Sequence, residues 1–168
     1  MRYGLIKWND IADGEGVRVA LFVSGCRRHC VGCHNQEAQD FSFGEEFTEE
    51  VRNSILEGMA PRWIRGLSIL GGEPLEPENQ IEVLELIKEV RRVYGRTKDI
   101  WLYTGGIIED LWRENKFSTR EIIASVDVLV DGPFILAERD PGLAFRGSKN
   151  QRIIYPGELL RGEKSWNR

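Results

Sequence analysis

The 168-residue chain carries 23 Lys and Arg against 27 Asp and Glu, a net charge of −4, so it offers no basic footprint for nucleic acid. Hydrophobic residues make up 41% and charged residues 30%, the balance of a soluble globular chain long enough to bury a core. No apolar run nears the roughly 20 residues of a membrane span and no signal-peptide pattern opens the chain, so a cytoplasmic, reducing setting is expected.

Length points to one domain, expected over residues 1–155 with a tail at 156–168, and is short of the ~250 residues of a complete eightfold barrel. Tyr3, Leu5 and Ile6 mark a first strand or a segment lying over the core, and Asp13-Gly14-Glu15-Gly16 marks a turn. Val17–Val23 is nearly continuous apolar, the pattern of a parallel strand covered on both faces. It runs into Ser24–Asn35, which holds every cysteine of the chain. Residues 36–47 are polar, with Phe41, Phe43 and Phe47 interspersed, and read as irregular structure.

Thr48 is placed to cap a helix, with Glu49 and Glu50 in its first turn and Val51, Ile55 and Met59 on one face before Pro61. Leu67–Leu70 reads as a strand entering Gly71-Gly72-Glu73-Pro74. Pro77 suits a first helical position, Ile81, Leu84, Ile87, Val90 and Tyr94 trace an apolar face, and Gly95 suits the stop. Ile100–Tyr103 is the next strand, opening into Thr104-Gly105-Gly106, followed by a weak helix around 107–115. Ser118-Thr119-Arg120-Glu121 has the form of a capping box. Val126–Val130 forms a strand ending at Asp131-Gly132-Pro133, a charged loop covers 136–149, and Arg152–Tyr155 is the last strand.

Strands alternating with helices argue for right-handed βαβ units around a parallel sheet. Cys26, Gly71-Gly72, Thr104 and Asp131 all fall at strand ends, the side on which parallel α/β folds bind ligands. Cys26, Cys30 and Cys33 are spaced C-x-x-x-C-x-x-C, an odd count that does not suit a disulfide framework. Clusters are usually held by four cysteines, so a four-iron cluster on these three keeps one iron without a protein ligand. An open metal position is what chemistry requires. The alternatives are a closed zinc site with His29 or His34 as fourth ligand, or free thiols. Gly71 and Gly72 let a ligand approach bare backbone, or form a plain turn.

The cysteine loop after a strand resembles that of the radical S-adenosylmethionine enzymes, and Cys33-His34-Asn35 resembles the glycyl-radical activating enzymes among them. Asp131-Gly132-Pro133-Phe134 and Arg146–Arg152 resemble stretches of the subgroup that acts on anaerobic ribonucleotide reductase. The resemblance runs from the first turn to about residue 155. It implies an α/β fold built as a small incomplete (β/α) barrel of about five or six mainly parallel strands, with the cluster loop after the first long strand. It implies that Cys26, Cys30 and Cys33 hold a 4Fe-4S cluster whose open iron takes S-adenosylmethionine. Gly71, Gly72, Glu73 and Pro74 then hold the cofactor's amino group. Backbone at Gly32, Cys33 and His34 reaches its adenine, with Gly32 standing where an aromatic residue is usual. Thr104 and Asp131 resemble positions at the methionine end, their other reading being turn or helix caps. Tyr103 and Pro133 depart from relatives that carry a cation-binding aspartate and a lysine there.

The implied reaction is reductive cleavage of the cofactor, with electrons from flavodoxin or a similar donor. The resulting 5′-deoxyadenosyl radical takes hydrogen from a backbone glycine of the reductase's catalytic subunit, with no nucleic acid or membrane involved. Alternatives are a radical enzyme acting on a small molecule or on another glycyl-radical enzyme, and a non-catalytic iron–sulfur or zinc-binding protein. His29 and His34 are read as supporting the cluster rather than ligating it. Arg27 and Arg28 are read either as attracting an acidic donor or as a solvated pair. Trp63, Trp101 and Trp112 are read as core or interface residues.

Overall fold

A computed structural model of the protein describes residues 1–114 and 116–160. The central strands form where apolar runs predict them: β2 (Val17–Val23), β4 (Ile64–Gly71), β5 (Asp99–Tyr103) and β6 (Val128–Asp131) pair in parallel in that order. Antiparallel strands extend this core at both edges. β1 (Arg2–Asp10) pairs with β2 and with the two-residue β3 (Glu45–Glu46), and β7 (Arg152–Ile154) pairs with β6. The result is one open seven-stranded α/β sheet of order β3-β1-β2-β4-β5-β6-β7, not closed into a barrel. The expected five or six strands become seven because β3 is too short to show a periodicity and β1 is only partly apolar.

Helix α1 (Glu49–Met59) begins at Thr48, whose Oγ1 accepts a hydrogen bond from Val51 N at 3.4 Å. Helix α2 (Pro77–Tyr94) starts at Pro77 and ends before Gly95. Leu84, Ile87 and Val90 of the expected face are buried and Tyr94 packs against the core, Val83 and Leu86 join them, and Ile81 alone departs at 65% exposed. Helix α3 spans Ile108–Arg113 and α4 spans Phe117–Ser125, while residue 115 of the predicted 107–115 helix lies outside the described residues. The capping box does not form. α4 starts before Ser118, Lys116 at its N-cap makes no side-chain cap bond, and Glu121 pairs with Lys88 of α2 at 2.8 Å. A short helix α5 (Pro156–Leu160) opens the predicted tail and packs beside α4, and residues 161–168 of that tail lie outside the described residues.

The sheet's two faces are unlike. Val19, Leu21, Val23, Leu67, Ile69, Ile100, Leu102 and Leu129 join Ile55, Met59, Val83, Ile87 and Ile122 in the main apolar core between sheet and helices. Each fully buried side chain of this kind contributes about 1.5–3 kcal/mol, so this face holds the fold. The alternate positions face the other way: Arg18 reaches Ser68 and Trp101, while Trp101, Val128 and Val130 form a smaller cluster with Tyr103, Phe145 and Ile153.

Candidate active site

The cysteine loop is held at its root by main chain. Gly25 N donates to Ala38 O at 2.8 Å and Cys26 N to Gln39 O at 3.1 Å, folding the loop onto the short 3-10 turn at Glu37–Gln39. Gly25 has φ +96°, and a Cβ there would fall 2.3 Å from the Phe41 ring. The aromatic residue of the irregular stretch thus packs beneath the loop and requires glycine above it. Cys33 N donates to Cys30 O at 3.1 Å, closing a turn between the second and third cysteines. All three thiols are free and half-buried. Burial, the largest cause, pushes the Cys26 thiol pKa up, and Glu73 and Glu76 push the same way while hydrogen bonding to Arg28 backbone opposes. His29 Nδ1 lies 2.9 Å from Gln39 Oε1, and His34 is exposed. Among the described residues no three His, Cys, Asp or Glu side chains converge on a single-ion position.

The Gly71–Pro74 loop is stitched to that root. Gly72 N donates to Val23 O at 2.7 Å, Glu73 N to Gly25 O at 2.8 Å, and Asn79 Nδ2 to Ser24 O at 3.0 Å. Asn35 Nδ2 at the far end of the cysteine loop donates to Gly71 O at 3.3 Å. The glycines serve this close approach. Gly71 has φ +108°, and a Cβ on Gly72 would stand 2.6 Å from Gly25 O and 2.7 Å from Ala38 O. Gly72→Val is therefore expected to push the cysteine loop off its anchors, lowering iron per chain together with cofactor affinity. Iron and sulfide analysis beside calorimetric titration checks this: full cluster loading in the variant would show that the contact is dispensable.

Glu73 ties three strand ends together. It is 4% exposed; its Oε2 accepts from Gly105 N at 2.9 Å and Arg28 Nε at 3.1 Å, and its Oε1 from Leu75 N at 3.1 Å. Arg27 donates to Glu76 at 2.6 Å, pairs with Glu78 and lies over the Phe41 ring at 4.4 Å. Its hydrogen bonding is the main cause that pulls the Glu78 carboxyl down to about 2. Arg27 and Arg28 are both exposed, as the solvated reading has it, but they are not a free positive patch, because neighbouring carboxylates pair with both.

Thr104 and Asp131 are buried and bonded within the protein. Thr104 Oγ1 accepts from Gly106 N at 3.0 Å, shaping the glycine turn. Asp131 lies on the Leu129 face of β6, toward the helices; its Oδ2 accepts from Ile108 N at 2.9 Å and its Oδ1 from Arg152 Nε at 2.9 Å. Arg152 also grips Glu109 at 2.7 Å, so β6, β7 and the start of α3 share one ionic network. The segments 131–134 and 146–152, separate in sequence, form one unit. Asn150 Nδ2 donates to Pro133 O at 2.7 Å, Gln151 Nε2 to Gly132 O at 3.2 Å, and Ile135 N to Ser148 Oγ at 3.2 Å. A pocket of about 380 Å³ separates this unit from the cysteine loop, with Gly32, Cys33 and His34 on one wall and Phe134, Arg139 and Arg146 on the other.

Sequence reasoning missed a buried charge at the other end of the same strands, where Arg18 lies opposite Gly66 and close to the start of β5. Arg18, within the apolar run of β2, is fully buried. It donates to Ser68 Oγ at 2.7 Å, Glu15 O at 2.9 Å and Leu67 O at 2.9 Å, pairs with Asp99 at 2.6 Å and lies 5.4 Å from the Trp101 ring centre. Burial lowers its pKa and Asp99 opposes that shift. Tyr103, on the same face, keeps its hydroxyl buried without a hydrogen-bond partner among the described residues, and burial raises its pKa. The available signal was a lone arginine inside an apolar strand.

A family model described as "4Fe-4S single cluster domain" matches residues 12–154. The chain is 42% identical over 146 residues to the anaerobic ribonucleoside-triphosphate reductase-activating protein of Vibrio cholerae, covering 86% of this chain and 91% of that protein. Proteins of the same name from Escherichia coli strain K12 and Enterobacteria phage T4 are 36% identical over 148 residues and 35% identical over 153. Those matches span 87% and 91% of this chain, and 93% of each relative.

Proposed function

The chain belongs to the 4Fe-4S single cluster domain family, in company with the anaerobic ribonucleoside-triphosphate reductase-activating proteins, and on that premise we propose that it activates such a reductase by radical S-adenosylmethionine chemistry. The observation that carries this reading is the stitching of Gly71–Pro74 to the root of the cysteine loop. It brings the loop that carries the three cysteines beside a glycine turn at the carboxyl ends of β2 and β4.

The donor set fits a cluster with one open iron: three soft thiolates on one short loop and no fourth cysteine in the chain. Cys26, Cys30 and Cys33 would hold it, leaving the open iron to the amino and carboxylate groups of S-adenosylmethionine. When bound and reduced, the cluster supplies the electron that cleaves the cofactor, so that hydrogen is removed from a glycine of the reductase.

The chain's own residues bind and position. Backbone at Gly71, Gly72, Glu73 and Pro74 borders the cofactor's amino group, and the Glu73 carboxylate holds the cysteine loop, β4 and the Gly105 turn in register. Backbone at Gly32, Cys33 and His34 meets the adenine. Thr104 and Asp131 act by fixing the glycine turn and the start of α3 that wall the methionine end. Residues 1–155 form the catalytic domain in this reading. A flavodoxin-like protein serves as electron donor and the setting is cytoplasmic, without nucleic acid or membrane. Among the described residues no helix is long and apolar enough to cross a membrane.

The test is anaerobic mixing of the reconstituted protein with S-adenosylmethionine, a reductant and the reductase. A glycyl-radical spin signal on the reductase, with 5′-deoxyadenosine formed alongside, is the expected result. Deoxyadenosine without any radical on the reductase, where a known activating protein succeeds, would remove the partner from this reading.

A further inference from the structure

The pocket beside the cysteine loop has Gly32, Cys33 and His34, assigned above to the adenine, on one wall, and on the other wall positive charge to which the proposed chemistry gives no role. Most of the described arginines close on carboxylates, among them Arg18 on Asp99, Arg28 on Glu73 and Arg152 on Asp131. Arg139 and Arg146 close on none among the described residues. Arg146 donates from Nη1 to Gln151 O at 3.1 Å and leaves its Nε buried without a hydrogen-bond partner. Asp140, the pocket's own carboxylate, is engaged elsewhere, accepting from Gly142 N at 2.9 Å and facing Lys149 at 3.8 Å. Arg2, Arg62 and Arg120 also lack a carboxylate, but none of them lines this pocket.

The surface around the pocket is apolar. Val31 is 77% exposed, Leu136 47% and Ile135 37%. Leu136 rests on Gly32, where a Cβ would come 2.9 Å from its Cδ1. Scattered surface hydrophobics are ordinary, but these are neighbours of two arginines without counter-ions, and apolar contact around arginine anchors is the composition of a protein interface.

We propose that Arg139 and Arg146 receive a carboxylate side chain of the reductase, which seats on Val31 and Leu136 and so fixes where its glycine segment docks beside the cysteine loop. The proposal rests on the activating function above and names the docking surface for it. The reductase is the occupant rather than the electron donor because hydrogen transfer requires near-contact, roughly 3–3.5 Å between reacting atoms, and hence a fixed seat. An electron donor needs only proximity.

The experiment uses the full-length, cluster-loaded protein and the source organism's anaerobic ribonucleoside-triphosphate reductase. Arg139→Ala and Arg146→Ala are each expected to weaken binding about tenfold, the scale of an interface arginine, and the double variant to flatten the salt dependence of binding. Radical yield on the reductase falls accordingly, while cofactor cleavage driven by a chemical reductant without the reductase stays at the wild-type rate. Arg139→Lys and Arg146→Lys keep the charge without the planar fork and should recover part of the affinity, which keeps the test valid if alanine lowers stability. Unchanged affinity in the double variant overturns the proposal. So does a defect seen only with a protein electron donor and cured by chemical reductant, which assigns the surface to the donor. A wild-type protein that neither binds nor radicalises the reductase overturns this proposal and the functional reading together, whereas intact wild-type activation with unaffected variants overturns this one alone.

Discussion

Alanine at any one of Cys26, Cys30 or Cys33 is expected to abolish cleavage of S-adenosylmethionine and to cut iron from about four per chain to a small fraction of that. The fold should survive. The loop is held by Gly25 N to Ala38 O, Cys26 N to Gln39 O and Asn35 to Gly71, none of which involves a thiol. The three sulfurs are half-buried and Cys26 gives up only a hydrogen bond to Arg28 backbone, so stability without the cluster should change by only about 1 kcal/mol. Metal analysis, circular dichroism and product assay on each variant check this together. A variant that keeps wild-type cleavage removes its cysteine from the ligand set, and one zinc per wild-type chain instead of four irons would return the site to the closed alternative.

Arg18→Ala should be the most destabilising single change outside the apolar core. It leaves the Asp99 carboxylate without its fully buried partner, takes a donor from Ser68 and from the Leu67 and Glu15 carbonyls, and opens a void against Trp101. Breaking a buried pair by removing one member typically costs about 3–5 kcal/mol, and because Asp99 keeps Arg65 at 2.7 Å the loss should lie toward the lower end of that range. Arg18→Lys retains charge but not the fork that reaches four partners, so it should fall between. Urea unfolding followed by tryptophan fluorescence measures both. A loss below about 1 kcal/mol for Arg18→Ala would mean that this end of the sheet is held by its main chain alone.

Much of this was legible because local chemistry dictated it. Thr48 caps α1, Pro77 opens α2, and the apolar run of Val17–Val23 sits between two strands, each for reasons contained within a few residues. What escaped depended on partners far along the chain. Periodicity predicted an apolar stripe on α2 but not which residues the sheet covers, so Ile81 was counted as core while Val83 and Leu86, which join it, were not. Asp131 ends a strand as expected. Its side-chain direction follows from the register of β6 against β5 and β7, which turns it toward Ile108 and Arg152. Arg27 and Arg28 read as free charge because Glu73, Glu76 and Glu78, which neutralise them, lie more than forty residues away. Gly71 and Gly72 read in the sequence as positions that a ligand approaches, whereas what approaches them in the structure is the protein's own backbone.

The order of strands across the sheet also sets an order in time. From β1 onward, each new strand except β3 docks beside the one made before it. The anchors Ala38, Gln39, Gly72, Glu73 and Asn79 at the root of the cysteine loop have all been synthesised by residue 79 of 168. The wall bearing Arg139 and Arg146 emerges some sixty residues later, at about 5–20 residues per second. The half of the site that carries the three cysteines can therefore take shape on a nascent chain several seconds before the opposing wall exists. Protease protection of ribosome-stalled chains should show the cysteine loop sheltered first.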